Sequence, residues 1–175
     1  MKEKIKKLKM LVLDVDGILT DGKIWLDGEG REIKSFCVWD GVATTLARYG
    51  GVKLALISGR PSPVTLARAR ELKIEDVFQV TGGKLSAWEK LKAKYGFKDE
   101  EMGYMGDDLL DLPLFERAGL RITVPQAPPE VKRKAHYITK RQGGEGALRE
   151  AVELILKEKG RWEEVLKIYL EKNSQ

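Results

Sequence analysis

The chain has 175 residues, of which 42% are hydrophobic and 34% are charged, and its formal net charge is +5. That length fits one domain with a full core, and no apolar run approaches the roughly 20 residues that cross a membrane. The single cysteine, Cys37, excludes an intramolecular disulfide and a cysteine-rich zinc site. Lysines and arginines are interleaved with glutamates, which is typical of solvated helix faces rather than of a nucleic-acid surface.

The amino-terminal residues 1–9 are basic, as at the start of a signal peptide, but Asp14 and Asp16 interrupt the apolar stretch that follows. The segment therefore lacks the apolar region that a signal peptide needs. We expect a cytoplasmic protein without nucleic-acid or membrane partners. The sequence contains no visible repeat, low-complexity linker or domain boundary, so residues 1–175 are expected to form a single domain.

Short apolar strands alternate with amphipathic helices along the chain. In chain order the predicted elements are a strand over 8–15, a hairpin over 23–36, a helix over 42–49, a strand over 52–57, a helix over 63–72, a strand over 76–80, a helix over 84–95, a strand over 102–105, a helix over 109–117, a strand over 120–124, a helix over 129–135, a strand over 137–138, and helices over 147–159 and 162–170. Asp40 and Ser62 precede the first two helices as expected N-caps.

This alternation predicts an α/β fold, a Rossmann-like parallel sheet with helices on both faces. The hairpin would form a small flap, and the chain has no room for an inserted cap domain. Ligands of such sheets bind at the carboxyl ends of the strands, at the point where the strand order switches direction. The residues that directly follow the predicted strands are therefore the candidates for ligand binding and catalysis.

Two carboxylates, Asp14 and Asp16, follow the first predicted strand and are themselves followed by Gly17. Side chains alternate along a strand, so the two acids can face one site only if the backbone turns at once, which glycine permits. Two charges at the end of an apolar strand cost desolvation free energy unless a cation or hydrogen-bond donors compensate. The pair therefore indicates a metal site, a phosphoryl site, or both.

Three further polar features also follow predicted strands: Ser58-Gly59-Arg60, Lys84 after Gly82-Gly83, and Gly106-Asp107-Asp108. If the strands are parallel, all of these converge on one rim. A carboxylate can then act as nucleophile through an aspartyl-phosphate, and a second acid can donate and accept the proton. A hydroxyl and a lysine can hold phosphoryl oxygens, and an acidic pair can hold Mg²⁺. The set supplies what phosphoryl transfer requires.

The order and spacing of these motifs resemble the haloacid dehalogenase-like phosphatase superfamily over nearly the whole chain. The matching residues are Asp14-x-Asp16-Gly17-x-Leu19-Thr20-Asp21-Gly22, Ser58, Lys84 and Gly106-Asp107-Asp108 with Asp111 beyond. The resemblance implies that Asp14 is the nucleophile, that Asp16 is the general acid and base, and that Ser58 and Lys84 complete the catalytic set. It also implies that Asp14, the backbone carbonyl of Asp16, and Asp107 hold Mg²⁺. Asp108 and Asp111 would support these ligands from behind.

The small size, the hairpin in place of a cap, and Gly143-Gly144-x-Gly146-Ala147-x-Arg149-Glu150 look like the 3-deoxy-D-manno-octulosonate 8-phosphate phosphatases. The resemblance implies a homotetramer without cap domains that acts in lipopolysaccharide biosynthesis and in which a neighbouring subunit covers each active site. The family's substrate contacts carry over to a set of residues around the rim. They are Asp16, Cys37, Val38, Trp39, Asp40, Gly41, Thr45, Gly59, Arg60, Arg68 and Lys84.

The chain departs from that family at three positions. Cys37 and Trp39 stand where the family often has Asn and Lys, and Gly83 stands where an Asp usually precedes the lysine. Because these changes fall in segments that touch the sugar in that family, the catalytic motifs do not identify which sugar phosphate is the substrate. The alternative substrate is another acidic sugar phosphate, such as a nonulosonate 9-phosphate.

A non-enzymatic phospho-receiver module is a second alternative, because receivers also combine clustered acids, a hydroxyl and a lysine. Receivers, however, carry the phosphoacceptor acid after their third strand. Here the strand ending at Ile57 continues as Ser-Gly-Arg, and the strand ending at Val80 continues as Thr-Gly-Gly. Neither segment offers an acid, which favours the phosphatase.

Overall fold

The computed structural model describes residues 1–174, so Gln175, the last residue of the expected single domain, lies outside the described residues. The strands are β1 (Met10–Leu13), β2 (Trp25–Leu26), β3 (Glu32–Ile33), β4 (Lys53–Ser58), β5 (Asp76–Gln79), β6 (Met102–Met105), β7 (Leu120–Thr123) and β8 (Tyr137–Ile138). The α-helices are α1 (Lys2–Lys7), α2 (Val38–Tyr49), α3 (Pro63–Glu71), α4 (Leu85–Tyr95), α5 (Leu112–Phe115), α6 (Pro129–Lys134), α7 (Ala147–Glu158) and α8 (Trp162–Asn173). Short 3₁₀ turns cover Asp99–Glu101 and Leu109–Asp111.

Six strands form one parallel sheet in the order β5-β4-β1-β6-β7-β8. The chain runs from β1 outward through β4 to β5, then crosses back to β6 and continues outward to β8. The order therefore switches direction between β1 and β6, which pair in parallel with Leu13 opposite Met105. This is the predicted α/β architecture, and it places Asp14 and Asp107 beside each other at the switch point.

Apart from α3, which follows β4, the helices of residues 1–174 form two groups, as right-handed crossovers in opposite directions from β1 require. One group comprises α1, α2, α7 and α8, which pack on one another, and the other comprises α4, α5 and α6. Between α4 and α5 the core holds Trp88, Tyr104 and Phe115, all fully buried, with edge-to-face ring contacts. None of the helices within residues 1–174 is both long and apolar enough to cross a membrane.

The hairpin is the only strand insertion between β1 and α2 in the described chain. Its strands β2 and β3 pair antiparallel, with Trp25 opposite Ile33 and Leu26 opposite Glu32. The ladder is shorter than the predicted span of 23–36. The hairpin exposes Ile24, Trp25, Leu26 and Ile33, each by more than half of its surface. A flap with such an apolar surface is a candidate contact for another molecule.

Several element boundaries differ from the predictions. The strand expected over 8–15 is limited to Met10–Leu13, because the unpredicted helix α1 precedes it and the chain turns after it. The helix expected over 109–117 is a 3₁₀ turn followed by the single turn α5. The expected N-cap Ser62 is confirmed, since its hydroxyl accepts a hydrogen bond from the N–H of Thr65.

The predicted capping role of Asp40 is wrong for α2, because that helix begins at Val38 with Cys37 as its N-cap. Asp40 lies within the first turn, is 3% exposed, and accepts a hydrogen bond from the N–H of Arg149 at 2.9 Å. It therefore caps α7, whose own N-cap residue, Gly146, has no side chain to do so. The sequence did not reveal this contact because the partners are 109 residues apart.

We expect Asp40→Ala to lower the free energy of unfolding by about 1–2 kcal/mol, because it removes a cap from α7. Urea denaturation followed by circular dichroism measures this loss. Glu75→Ala, at an exposed position, is the matched control and should change stability by less than about 0.5 kcal/mol. Equal stability of Asp40→Ala and the control would show that the contact with Arg149 does not stabilise α7.

Candidate active site

A buried ion cluster lies at the carboxyl ends of β1 and β6. Lys84, the N-cap residue of α4, places its Nζ 2.8 Å from Asp14 Oδ2 and 2.6 Å from Asp111 Oδ1. Asp14 directly follows β1, and Asp111 ends the 3₁₀ turn after β6. All three residues are less than 9% exposed. The lysine therefore neutralises carboxylates from two neighbouring strand ends.

Asp111 uses both of its carboxylate oxygens inside the protein. Its Oδ1 accepts from the hydroxyl of Tyr104 at 2.7 Å as well as from Lys84. Its Oδ2 accepts from the backbone N–H groups of Asp107 and Asp108 at 2.9 and 3.1 Å. With four donors already bound, Asp111 acts as the residue that fixes the loop carrying Asp107. Asp108 is exposed and accepts from the N–H of Leu109 at 2.7 Å.

Asp107 lies against the turn that follows β1. Gly17 has φ +87°, and a Cβ built on it would lie 2.0 Å from Asp107 Oδ2. Only glycine allows this approach. Asp107 Oδ1 is buried without a hydrogen-bond partner among the described residues. A buried carboxylate oxygen with no donor requires compensation, and a cation would supply it.

The carboxylates of Asp14, Asp107 and Asp111 form a group whose oxygens lie within 4.8 Å of one another. Burial raises the pKa of Asp14 to about 7, with the nearby charge of Asp111 adding to the shift. Burial and the charge of Asp14 likewise raise the pKa of Asp107 to about 7. Burial alone lowers the pKa of Lys84, but Asp14 and Asp111 outweigh it, so that pKa is raised and the ammonium stays charged. The site has a deficit of positive charge.

The residues present fit a divalent cation at this position. Asp14 and Asp107 supply carboxylate oxygens, whereas Asp111 is occupied by its four donors. Magnesium and similar hard cations take such oxygen ligands and keep waters in the remaining positions. The predicted participation of the Asp16 backbone carbonyl stays a prediction.

The side chain of Asp16 points to a partner that the sequence did not single out. Lys34, which follows β3 of the hairpin, donates to Asp16 Oδ1 at 2.6 Å, and its side chain is 2% exposed. Lys34 also lies 3.6 Å from Glu32 Oε1. A lysine in a short, otherwise exposed hairpin resembles any solvated surface lysine in sequence. Only the folded hairpin brings it to the acid.

Ser58 and Arg60 form the loop after β4. The Ser58 hydroxyl, 1% exposed, accepts from the N–H of Arg60 at 3.2 Å and donates to the Arg60 carbonyl at 3.1 Å. A Cβ built on the intervening Gly59 would lie 3.9 Å from Cε of Lys84. The loop after β4 and the start of α4 therefore meet, as expected for one rim.

A second glycine loop packs behind the turn after β1. The N–H of Gly144 donates to the carbonyl of Ile18 at 3.0 Å, and a Cβ on Gly143 would lie 1.7 Å from the carbonyl oxygen of Gly17. Gln126 donates to the same carbonyl at 3.0 Å. The Gly143–Gly146 motif thus supports the turn after β1 from within the chain. Gln126 carried no signal in the sequence, because its partner is 109 residues away.

Several predicted substrate contacts lie in a separate groove. Gly41 and Thr45 of α2 and Arg68 of α3 line it together with Tyr169 of α8, and its volume is about 480 Å³. Arg68 forms its polar contacts with Glu71 and the carbonyl of Cys37 rather than with the carboxylates after β1. The structure therefore does not bring this part of the predicted contact set onto the ion cluster.

The segment that begins α2 also faces outward. Val38 is 77% exposed, and Trp39 is 55% exposed. The guanidinium carbon of Arg141 lies 4.6 Å from the Trp39 ring centroid, so the ring packs over the loop that precedes α7. Asp40 points inward to that same helix. The three consecutive residues thus take three different environments.

Taken together, a carboxylate next to a candidate cation site, a second carboxylate two residues on, and a buried lysine define a hydrolytic phosphoryl-transfer site on an α/β sheet. A model of the haloacid dehalogenase-like hydrolase family matches residues 72–150. The 3-deoxy-D-manno-octulosonate 8-phosphate phosphatase of Escherichia coli is 37% identical over 161 residues, which span 92% of this chain and 86% of that protein.

Solved structures give the same result. The 3-deoxy-D-manno-octulosonate 8-phosphate phosphatase of Moraxella catarrhalis, determined with magnesium, phosphate and KDO, is 39% identical, with a TM-score of 0.92 over 96% of this chain and 97% of that chain. The cobalt-bound deoxy-D-mannose-octulosonate 8-phosphate phosphatase from Haemophilus influenzae is 36% identical, with a TM-score of 0.87 over 91% of this chain and 93% of that chain. The chain therefore belongs to the haloacid dehalogenase-like hydrolases and, within them, to the family of 3-deoxy-D-manno-octulosonate 8-phosphate phosphatases.

We expect the affinity for Mg²⁺ to fall as the pH is lowered from 8 to 6. Both Asp14 and Asp107 have a pKa raised to about 7, so protons occupy them below that pH and must leave when a cation binds. At a pH one unit below its pKa, a carboxyl group is about one-tenth ionised. The affinity for Mg²⁺ should therefore fall about 10-fold if one of the two groups must lose a proton and about 100-fold if both must. Isothermal titration at pH 6, 7 and 8 measures it, and a constant affinity would contradict these pKa values.

Proposed function

We propose that this protein is a Mg²⁺-dependent phosphatase that hydrolyses 3-deoxy-D-manno-octulosonate 8-phosphate to KDO and inorganic phosphate. The observation that carries the proposal is the clustering of Asp14, Asp107 and Lys84 at the switch point of the sheet, in a chain whose relatives bear that activity over nearly their full length. A place in lipopolysaccharide biosynthesis and a cytoplasmic location belong to the same proposal and rest on the family resemblance.

In the first step the Asp14 carboxylate attacks the phosphorus of the monoester, and the bond from phosphorus to the sugar oxygen breaks. Asp16 donates a proton to that departing oxygen, which leaves as the sugar alcohol. The Asp14 carboxylate becomes an aspartyl-phosphate. Ser58 and Lys84 hold the phosphoryl oxygens during this transfer, since both are buried at the same rim as Asp14.

In the second step Asp16 takes a proton from a water molecule that attacks the phosphorus of the aspartyl-phosphate. The bond between phosphorus and the Asp14 oxygen breaks, which releases phosphate and restores the carboxylate. Asp16 returns to its protonated form for the next turnover. The two carboxylates thus have separate roles, because Asp14 is held by the ion cluster while Asp16 is directed to the hairpin lysine.

Asp14 and Asp107 would hold the magnesium ion, whose positive charge would offset the repulsion between the nucleophile and an anionic phosphate. The unpartnered Asp107 Oδ1 and the raised pKa values of both acids support this assignment. Lys84 adds a second positive charge on the other side of Asp14. Asp111 keeps Asp107 in place through the backbone N–H groups of that loop.

The sugar is tested with a panel of phosphate monoesters. We expect kcat/KM for the octulosonate 8-phosphate to exceed that for hexose phosphates by at least about 100-fold, because recognition of its carboxylate adds charge-assisted contacts. A nonulosonate 9-phosphate is the critical comparison, since Cys37 and Trp39 replace the residues usual in the family. Phosphate release measured with and without EDTA tests the metal at the same time.

The Asp14→Asn variant is the control for this panel. It should lower kcat by at least about 1,000-fold on every substrate, because the amide is not a nucleophile. A nonulosonate as the best substrate would redirect the sugar assignment while keeping the chemistry. Equal, slow turnover of all sugars would contradict a dedicated sugar-acid phosphatase, and an active Asp14→Asn variant would contradict the aspartyl-phosphate.

We also propose that a neighbouring copy of the chain covers the active site, in a homotetramer. Residues 1–174 include no cap domain over the sheet, and phosphoryl transfer benefits from exclusion of water. The exposed apolar surface of the hairpin, which includes Trp25 and Leu26, is the candidate contact. The Gly143–Gly146 loop is packed against its own chain, which favours the hairpin over that loop as the covering element.

We expect Trp25→Glu to reduce the mass measured by light scattering and to lower kcat/KM at least about tenfold, since tryptophan is enriched among the interface residues whose truncation costs about 2 kcal/mol or more. Glu29→Lys, at the exposed turn of the same hairpin, should change neither quantity by more than about twofold. A wild-type protein that is monomeric and fully active would contradict closure by a neighbouring subunit.

A further inference from the structure

Lys34 is a buried lysine of the hairpin whose ammonium group contacts Asp16. Its side chain is 2% exposed, although it belongs to a hairpin whose neighbouring side chains face solvent. A buried ammonium costs several kcal/mol unless it is paired. Its Nζ lies 2.6 Å from Asp16 Oδ1, a short charge-assisted contact. The fold therefore places this lysine on one particular oxygen of Asp16.

Glu32 holds the hairpin on the opposite side. Its carboxylate accepts from Arg60 Nη2 at 3.2 Å and from the hydroxyl of Ser62, and it lies 3.6 Å from Lys34. Arg60 belongs to the loop after β4, and Ser62 caps α3. The network therefore ties the turn after β1, the hairpin and the loop after β4. The position of the Lys34 ammonium is therefore set by carboxylates on two sides, Asp16 and Glu32.

We propose that Lys34 is a positioning residue for the proton transfer by Asp16. By binding Oδ1, it fixes the rotamer of the carboxylate and leaves Oδ2 as the oxygen that carries the proton to the departing sugar oxygen. The proposal rests on the proposed phosphatase function but adds a residue, and a connection to the hairpin, that the function does not require. Asp16 is itself partly exposed, with 27% of its side chain accessible, so it has few other restraints.

The role has a consequence that depends on the leaving group. An alkyl oxygen, such as that of a sugar phosphate, must be protonated as it departs, whereas p-nitrophenolate leaves without a proton. A residue that only supports the fold would affect both substrates alike. A residue that aims Asp16 would affect the alkyl substrate far more in the first chemical step.

The test is a single-turnover measurement of leaving-group release by Lys34→Met. We expect a loss of about 10- to 100-fold on the sugar phosphate and less than about threefold on p-nitrophenyl phosphate, because general acid catalysis contributes on the order of 100-fold or more. Lys34→Arg should restore at least part of the sugar rate, since it retains the charged donor. Lys23→Met, an exposed lysine that precedes the hairpin, is the matched control and should match the wild type.

A double-mutant cycle with Asp16→Asn gives the second readout. If Lys34 acts through Asp16, adding Lys34→Met to Asp16→Asn should change the residual rate by less than about twofold. Equal losses on both leaving groups, or losses that multiply in the double variant, would overturn the proposal. Lys34→Gln, which retains a polar end, replaces Lys34→Met if that variant does not fold.

The same measurements separate this proposal from the substrate assignment. A wild-type enzyme inactive on the octulosonate phosphate but active on other monoesters would contradict the sugar alone. The comparison of alkyl with aryl leaving groups would then be made on any alkyl phosphate that the wild type hydrolyses. A wild-type enzyme with no phosphatase activity on any monoester would overturn both.

Discussion

The architecture of the site depends on one buried lysine between two acids. Lys84 contacts Asp14 from the end of β1 and Asp111 from the turn after β6, and these strands are neighbours at the switch point of the sheet. Without it, the carboxylates of Asp14 and Asp111 would be buried together, next to that of Asp107, with no lysine to neutralise them. Removing one partner from such a buried cluster typically costs about 3–5 kcal/mol. The cluster also retains an excess of negative charge, which leaves Asp107 suited to a cation.

The same cluster connects the hydrophobic core to the chemistry. Tyr104 packs its ring between Trp88 and Phe115, and its hydroxyl donates to Asp111. Asp111 in turn orients the backbone that carries Asp107. The position of a candidate metal ligand is thus set by packing in the core. The hairpin has the complementary role, because Lys34 reaches Asp16 while its apolar residues face outward. One small insertion thus contacts the proposed general acid and exposes the apolar surface that we propose meets a second subunit.

Much of this arrangement followed from local sequence patterns. Apolar runs followed by Asp14, Ser58, Lys84 and Asp107 were sufficient to predict a parallel sheet with one reactive rim, because parallel strands end at the same edge. The Ser62-Pro63 signal correctly placed the start of α3. Asp40 shows where local reasoning was wrong. An acid near a helix start resembles an N-cap, yet this one caps a helix 109 residues away.

The sequence by itself determined the order along the chain of strands β1 to β8 and helices α2 to α8, though not α1. It also determined the residue types at each strand end and hence the class of reaction, because these depend on short-range periodicity and on residue chemistry. Only the tertiary structure decided that Lys34 binds Asp16. It also decided that the Asp111 oxygens accept hydrogen bonds from Lys84, Tyr104 and the loop after β6. It placed Thr45 and Arg68 in a separate groove. Such contacts join residues far apart in the chain. They are fixed by packing and by the need to pair every buried charge, and neither requirement is visible in a local pattern.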